Sequence, residues 1–398
     1  MAVETETSSS DGGRAPVVLQ VLPSLNTGGV ERGTVEIADA IVQAGGHSFV
    51  ASAGGRMVHD LARVGAKHIE LPLNSKNPLV MFRNISRLRR VIREHGVDIV
   101  HARSRAPAWS AYFACRKTDA SFLTTFHGTY NRSAPGKKLY NSIMTKGDRV
   151  IAISHFIADH MEAVYKVDRR RIRVIHRGVD IEHFDPRKIP AARVIDLTNR
   201  WRLPDDKRVV MLPGRLTRWK GQALLIEALA RIDTDGLRCL IVGDDQGRTA
   251  YKRELERLVK RYALGSVVHM VGDCNDMPAA MMLADVVVSA STDPEAFGRV
   301  MVEAQAVGKP VVAANHGASA ELFIEGETGW LFEPDDADSL ARTLESVLML
   351  GTSERENLAE RAISNVRANF TKELMCAKTL ELYSEVLTEA SAKAHART

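Results

Sequence analysis

A chain of 398 residues is long enough for two domains with full cores, because a single core rarely grows past about 250 to 300 residues. Its 45% hydrophobic and 26% charged residues are those of a globular protein, and no apolar run approaches the roughly 18 residues of a membrane-crossing helix. Residues 1–190 carry 28 Lys+Arg against 18 Asp+Glu, a net +10, and the remainder 26 against 31, a net −5, so the N-terminal half is biased toward anionic partners such as nucleic acid, phospholipid headgroups or phosphorylated glycans.

In chain order, residues 1–15 read as a disordered tail: the stretch is acidic and rich in Ser and Gly, and it lacks the basic and apolar regions of a secretory signal. From Val17 short β-branched runs alternate with amphipathic helical segments. Strands are expected at Val17–Leu22, His47–Ala53, Val97–His101, Ser121–Thr125, Arg149–Ile153 and Arg171–Ile175, and helices at Gly29–Gln43 and Leu79–Arg93. In the second of these helices Phe82, Ile85, Leu88 and Ile92 recur at helical spacing. The stretch Asp180–Asp206, with three prolines, many charges and a short helix at Ala191–Trp201, reads as an interdomain connection.

The alternation restarts with strands at Arg208–Pro213, Leu237–Val242, Val267–Met270, Asp285–Ser289 and Pro310–Ala313. Helices are expected between them at Gly221–Ile232, Ala250–Tyr262, Asn275–Leu283 and Phe297–Val307. Repeated β-α-β alternation implies parallel sheets covered by helices on both faces, here in two α/β domains. The last 45 or so residues are helical, with Leu374, Leu380, Leu382, Tyr383, Val386 and Leu387 as an apolar stripe. The four cysteines share no C-x-x-C spacing, which argues against zinc and suits a reducing cytoplasm.

Ligands of such sheets bind outside the carboxyl ends of the strands, so the post-strand loops carry the candidate chemistry. After the first strand, Gly28 and Gly29 lead straight into a helix. The third glycine of a dinucleotide fingerprint is missing and no acidic residue closes the second strand, so a NAD site is disfavoured; the loop is either a tight turn or a place where phosphate or sugar approaches the backbone. A lone His is usually structural, but His127, at a strand end and followed by Gly128, is placed to hydrogen-bond a ligand. Arg215 and Lys220 leave a strand and enter a helix start, where cations oppose the helix dipole; they read either as solvated surface cations or, more readily, as the holders of an anion such as a diphosphate bound between them. Asp293–Glu303 is a strand-to-helix turn bracketed by Glu295 and Glu303. By itself it reads either as a capped helix start, with Glu295 serving the dipole and Glu303 solvated, or as one wall of an anion site. Asp244 and Asp245 lack D-x-D spacing and read as solvated carboxylates.

The order Gly-Gly-x-Glu, His-Gly, Gly-Arg-Leu-x-x-x-Lys-Gly, Glu-x-Phe-Gly-x-x-x-x-Glu and Gly-Glu-Thr-Gly-x-Leu, from Val17 to about Phe332, resembles the retaining glycosyltransferases of family 4, including those of lipopolysaccharide-core and cell-envelope synthesis. The resemblance implies the α/β GT-B fold: two Rossmann-like domains facing an interdomain cleft and a C-terminal helix returning to the first. The division would be an acceptor-side domain over 16–190, a nucleotide-sugar domain over 191–370 and the helix over 371–398. It implies metal-independent transfer of a hexose from a nucleoside-diphosphate sugar to a lipopolysaccharide core, lipid-linked glycan or exopolysaccharide, with no cofactor. Arg215 and Lys220 would clamp the diphosphate and stabilise leaving-group charge, and Glu303 would bind the ribose hydroxyls. Phe297 and Gly298 would present backbone amides, Glu295 would hold sugar hydroxyls, Gly28 and Gly29 would lie at the donor, Gly29 against the diphosphate, and His127 would contact the sugar near the reacting carbon. His316 and Ala318 depart from the family pattern.

With that resemblance, the arginines Arg83, Arg87, Arg89, Arg90 and Arg93 on one helix, and Arg132, Lys137, Lys138 and Lys146 beyond His127, read either as a solvated face or as the binding surface for an anionic acceptor. The second reading places a cytoplasmic enzyme peripherally on the inner leaflet. Two other functions stay open: a nucleotide-sugar epimerase of the same fold, and a basic nucleic-acid- or anion-binding protein. The first is opposed by the Glu-x7-Glu arrangement, and nucleic acid by the absence of RNP-like aromatics, zinc fingers and long Lys/Arg tracts.

Overall fold

A computed structural model describes residues 14–26, 28–130 and 134–396. Most of the expected tail, 1–13, and Arg132 lie outside the described residues. By its internal contacts the chain forms two units: residues 1–151, 167–173 and 376–398, and residues 152–166 and 174–375.

The first unit is built on a seven-stranded sheet in the order β3-β2-β1-β4-β5-β6-β7. The strands are β1 (Val17–Val21), β2 (His47–Ser52), β3 (Lys67–Glu70), β4 (Ile99–Ala102), β5 (Ser121–Phe126), β6 (Arg149–Ala152) and β7 (Ile172–Val174). β1 pairs in parallel with β2 on one side and β4 on the other. All five residues of β1 are buried, as expected of a strand covered by helices on both faces. Helices Gly29–Gln43 and Pro78–Glu94 form where expected; the second starts at Pro78, with the Asn77 side chain accepting the Leu79 N–H. Phe82, however, is 71% exposed, as is Leu79, because the buried face of this helix runs through Asn84, Leu88, Val91 and Ile92. The tail does not extend to residue 15, since Arg14 donates to Gly96 O and pairs with Asp98.

The second sheet has six strands in the order β10-β9-β8-β11-β12-β13: β8 (Arg208–Pro213), β9 (Leu237–Val242), β10 (Val268–Gly272), β11 (Val286–Ser289), β12 (Val311–Ala314) and β13 (Trp330–Phe332). β8 pairs in parallel with both β9 and β11. Its core gathers Val210, Leu212, Ile241, Val286 and Val288 from the strands with Leu225, Leu229, Leu340 and Leu344 from the covering helices.

The stretch Asp180–Asp206 is part of this second unit and not a connection between units. Arg193, in helix Ala191–Trp201, forms a two-pronged ion pair with Asp276, which also caps helix Met277–Met282. Earlier in the chain, helix His155–Tyr165 also belongs to the second unit. Its Ser154 cap donates to Ala296 O at 2.7 Å, and Glu321 accepts the His155 and Phe156 N–H groups. The last helix, Lys372–His395, starts in the second unit, and from Cys376 onward its residues belong to the first. There Tyr383, 4% exposed, hydrogen-bonds Nδ1 of the fully buried His101 at 2.7 Å, and Thr125 takes the other ring nitrogen. The stripe it buries is Met375, Thr379, Leu382, Tyr383 and Val386.

Gly221 is where the second sheet tolerates no side chain. Its φ is +71°, and a Cβ would lie 1.7 Å from Ala290 O. Gly236 has a similar φ of +72° with nothing within 4 Å. Both alanine variants carry the left-handed backbone penalty of about 1–2 kcal/mol, and only Gly221→Ala adds the collision. We expect Gly221→Ala to lose at least about 2 kcal/mol more than Gly236→Ala in urea unfolding.

Candidate functional site

In an open parallel sheet a crevice forms where successive connections leave a strand in opposite directions. In the second sheet that point lies between β8, which leads outward to β9 and β10, and β11, which leads to β12 and β13. The loops after these two strands hold Arg215 and Lys220 on one side and Glu295, Phe297 and Gly298 on the other. They are bonded together: the Thr292 N–H donates to Trp219 O at 2.8 Å, and Gly221 packs on Ala290 O.

The structure brings two of the expected residues into direct contact. Lys220 Nζ forms an ion pair with Glu295 Oε1, and the Ser291 hydroxyl donates to the same oxygen at 2.7 Å. Glu295 is 8% exposed, so it is a buried ion-pair partner and neither a helix-dipole charge nor a solvated one. The ammonium also lies 4.4 Å from the centre of the Trp219 ring, a cation–π contact. Arg215 is exposed, with its carbonyl fixed by Gln222 Nε2. With the Lys220 ammonium balanced by Glu295, the exposed Arg215 guanidinium adds a further positive charge at the carboxyl end of β8 for an anion.

The helix after β11 begins at Arg299, two residues later than expected, because Gly298 adopts a left-handed φ of 85° as its N-cap. Phe297 is buried at 4% exposure. Glu303, one turn in, has its carboxylate 3.4 Å from Arg299 Nε with 13% of its side chain exposed. It is therefore paired and mostly covered, not solvated. The loop after β12 braces the turn: Ala318 N–H donates to Glu295 O at 2.9 Å, and a Cβ on Gly317 would lie 2.4 Å from that oxygen. Beside it, both ring nitrogens of His316 are buried with no hydrogen-bond partner among the described residues. Glu321 follows on helix Ser319–Leu322; burial acts to raise its carboxyl, but hydrogen bonds from His176, Phe156 and His155 outweigh this and hold it below the usual range.

In the first unit the reversal lies between β1 and β4. Gly28 and Gly29 open the helix after β1, and His127 follows β5, with its N–H directed to Tyr130 Oη at 3.4 Å. Among the described residues no hydrogen bond joins His127 to Gly28 or Gly29. Sequence reasoning passed over Arg103 and Arg105, which follow β4 directly. Arg103 is 4% exposed and donates to Gln20 at 3.2 Å, and Arg105 stacks 4.3 Å over Tyr130 and bonds Asn141. Their position after a strand was the available signal. Ser291 and Trp219, which hold Glu295 and Lys220, carried none, since each is ordinary until the two loops meet.

Residues 27–183 match the family described as glycosyltransferase family 4, and residues 195–365 the family described as glycosyl transferases group 1. A solved glycosyltransferase from Rickettsia africae is 38% identical, with 94% of this chain and 99% of that one covered and a TM-score of 0.87. The chain belongs to the family 4 glycosyltransferases. Its two sheets are those of the GT-B architecture. The D-inositol 3-phosphate glycosyltransferase of Mycolicibacterium smegmatis is 30% identical over 254 residues, which are 63% of this chain and 56% of that protein. The chain thus spans just over half the length of this curated relative. HepE from Anabaena, solved with UDP-glucose, shares the fold at 23% identity, with 93% and 99% coverage and a TM-score of 0.80.

If Lys220 and Glu295 form one electrostatic unit, the loss from each single change should not add. We expect Glu295→Gln to cost about 1–3 kcal/mol by leaving the ammonium without its counter-charge, and Glu295→Gln with Lys220→Met to cost less than the sum of the two singles. Urea unfolding of the four proteins in the cycle checks this.

Proposed function

We propose that this chain is a retaining hexosyltransferase that uses a nucleoside-diphosphate sugar and works without a metal ion. The observation that carries the reading is the largely covered Lys220–Glu295 pair beside exposed Arg215 at the reversal point of the second sheet. A diphosphate arriving there meets two cations, and the charge that grows on it as the sugar leaves is stabilised by groups already in place. Glu295 holds Lys220 toward the loop and offers its second oxygen to sugar hydroxyls. Phe297 and Gly298 present backbone amides, Glu303 takes the ribose hydroxyls, and Gly28, Gly29 and His127 serve the donor diphosphate and the sugar in the first unit. His316, with both ring nitrogens unsatisfied, is a further group able to bond the donor. In a front-face transfer the leaving phosphate itself assists deprotonation of the acceptor, so no separate base is required. Family membership favours this reading over an epimerase or a nucleic-acid-binding protein.

We infer an anionic acceptor, a cell-envelope glycan or glycolipid, on the strength of the basic first unit. A relative named for D-inositol 3-phosphate is compatible with a negatively charged acceptor. Exposed Leu79 and Phe82 lie on the same helix as exposed Arg83, Arg87, Arg90 and Arg93, and exposed Leu139 follows Lys137 and Lys138. Apolar side chains among cations suit the surface of an anionic membrane. No helix of the described residues is long and apolar enough to cross one.

Calorimetry with UDP, GDP and ADP tests the donor site. One of the three is expected to bind, Glu303→Ala to weaken it by roughly 10- to 100-fold through loss of charge-assisted hydrogen bonds, and Arg215→Ala to depress turnover as well. A protein that binds none of the three, or an Arg215→Ala enzyme with full turnover, would refute the assignment. Co-sedimentation with anionic liposomes tests the surface. Binding is expected at low salt, with loss at about 0.5 M salt, where screening shortens to a few ångströms, and with weakening in Phe82→Ser. No binding at low salt would remove the membrane reading.

A further inference from the structure

Away from Arg215 and Lys220, the second unit gathers three metal-ligating side chains from segments distant in sequence. His155 is the first residue of helix His155–Tyr165, His176 follows β7, and Glu321 lies in helix Ser319–Leu322. Their ligand atoms all lie within 4.8 Å of one another. We propose that His155, His176 and Glu321 form a binding site for a divalent cation of the zinc class, with a solvent-facing fourth position.

The donor set selects the ion. Two imidazoles and one carboxylate suit zinc, whereas calcium and magnesium favour six or more oxygen ligands. The spacing is also right. Bonds of about 2.0–2.2 Å to a tetrahedral ion place neighbouring ligand atoms roughly 3.4 Å apart, and His176 Nε2 and Glu321 Oε2 are already 3.2 Å apart. His155 is exposed, so its ring can turn onto an ion arriving from solvent.

The ligands are held in place by their own partners. The His155 and Phe156 N–H groups donate to the two Glu321 oxygens at 2.7 and 2.6 Å, and an ion would take the place of the His176 Nε2 hydrogen bond on Oε2, using the lone pairs that bond now occupies. The His176 ring lies 6.1 Å from the Phe297 ring and 5.5 Å from that of Phe370, edge-on to the latter. The positive first turn of helix His155–Tyr165 opposes a cation, and the Glu321 carboxylate bonded to that turn offsets it.

A bound ion would cross-link residues 155, 176 and 321, restricting the unfolded chain and stabilising the second unit. Helix Ser319–Leu322 directly follows the loop whose Ala318 holds Glu295 O, so the ion also stiffens the turn that carries Glu295. The inference does not depend on the transferase reading, and the ion supplies no step of the transfer.

The test is zinc titration of the untagged full chain by calorimetry and thermal melting, with magnesium in parallel. The wild type should take up one equivalent of zinc and melt at a higher temperature, and magnesium should do neither. His155→Gln, at an exposed position, and His176→Gln should bind zinc at least about tenfold more weakly and lose the melting shift. His155→Cys, which replaces one zinc ligand by another, should retain both. Circular dichroism without metal verifies that each variant is folded. A wild type that binds no zinc, or glutamine variants that bind it as tightly as wild type, would overturn the proposal.

Discussion

The loops after β8 and β11 can lie against each other because residue 221 has no side chain: Ala290 O occupies the place a Cβ would need. That approach allows the Thr292 N–H to reach Trp219 O, and with the loops so joined Lys220 meets Glu295. A buried ammonium is costly unless paired, and a buried carboxylate equally so. Each therefore fixes the other at the point where the order of the second sheet reverses. Ser291 and the Trp219 ring add a hydrogen bond and a cation–π contact to the same pair. The position of the charge at the site thus follows from a steric allowance at one glycine.

Much of the fold was legible because its strands are short β-branched runs and its helices amphipathic. Helices Gly29–Gln43 and Ala191–Trp201 and strands Arg208–Pro213 and Leu237–Val242 form over the expected residues. Reading failed where local pattern and packing part company. Phe82 sits at core spacing yet faces solvent, because helix position alone does not say which of two overlapping apolar stripes is covered. The prolines and charges of Asp180–Asp206 imitate a linker, but the charges are used in pairs, Arg193 with Asp276 and Lys372 with Asp180. Helix Arg105–Cys115 is rich in Ala and has a weak polar face, so it gave no clear periodicity.

The candidate site shows the same division. Post-strand loops are recognisable in sequence, which is why Arg215, Lys220, Glu295 and His127 could be singled out. Partnership is not recognisable there: Glu295 lies 75 positions from Lys220, and only the sheet order makes them neighbours. Glu303, readable as a free carboxylate, is in fact paired with Arg299 one turn earlier. Glu321 lies further still from His155 and His176, and no spacing rule for metal ligands joins the three.

The central claim is that a nucleoside diphosphate seats its phosphates at the carboxyl ends of β8 and β11. The most direct measurement is a crystal structure of the full chain with the nucleoside diphosphate that it binds. The account predicts phosphate oxygens within hydrogen-bonding distance of Arg215 and Lys220 and ribose hydroxyls on Glu303. A nucleotide bound elsewhere, with Lys220 and Glu295 still paired and untouched, would contradict it.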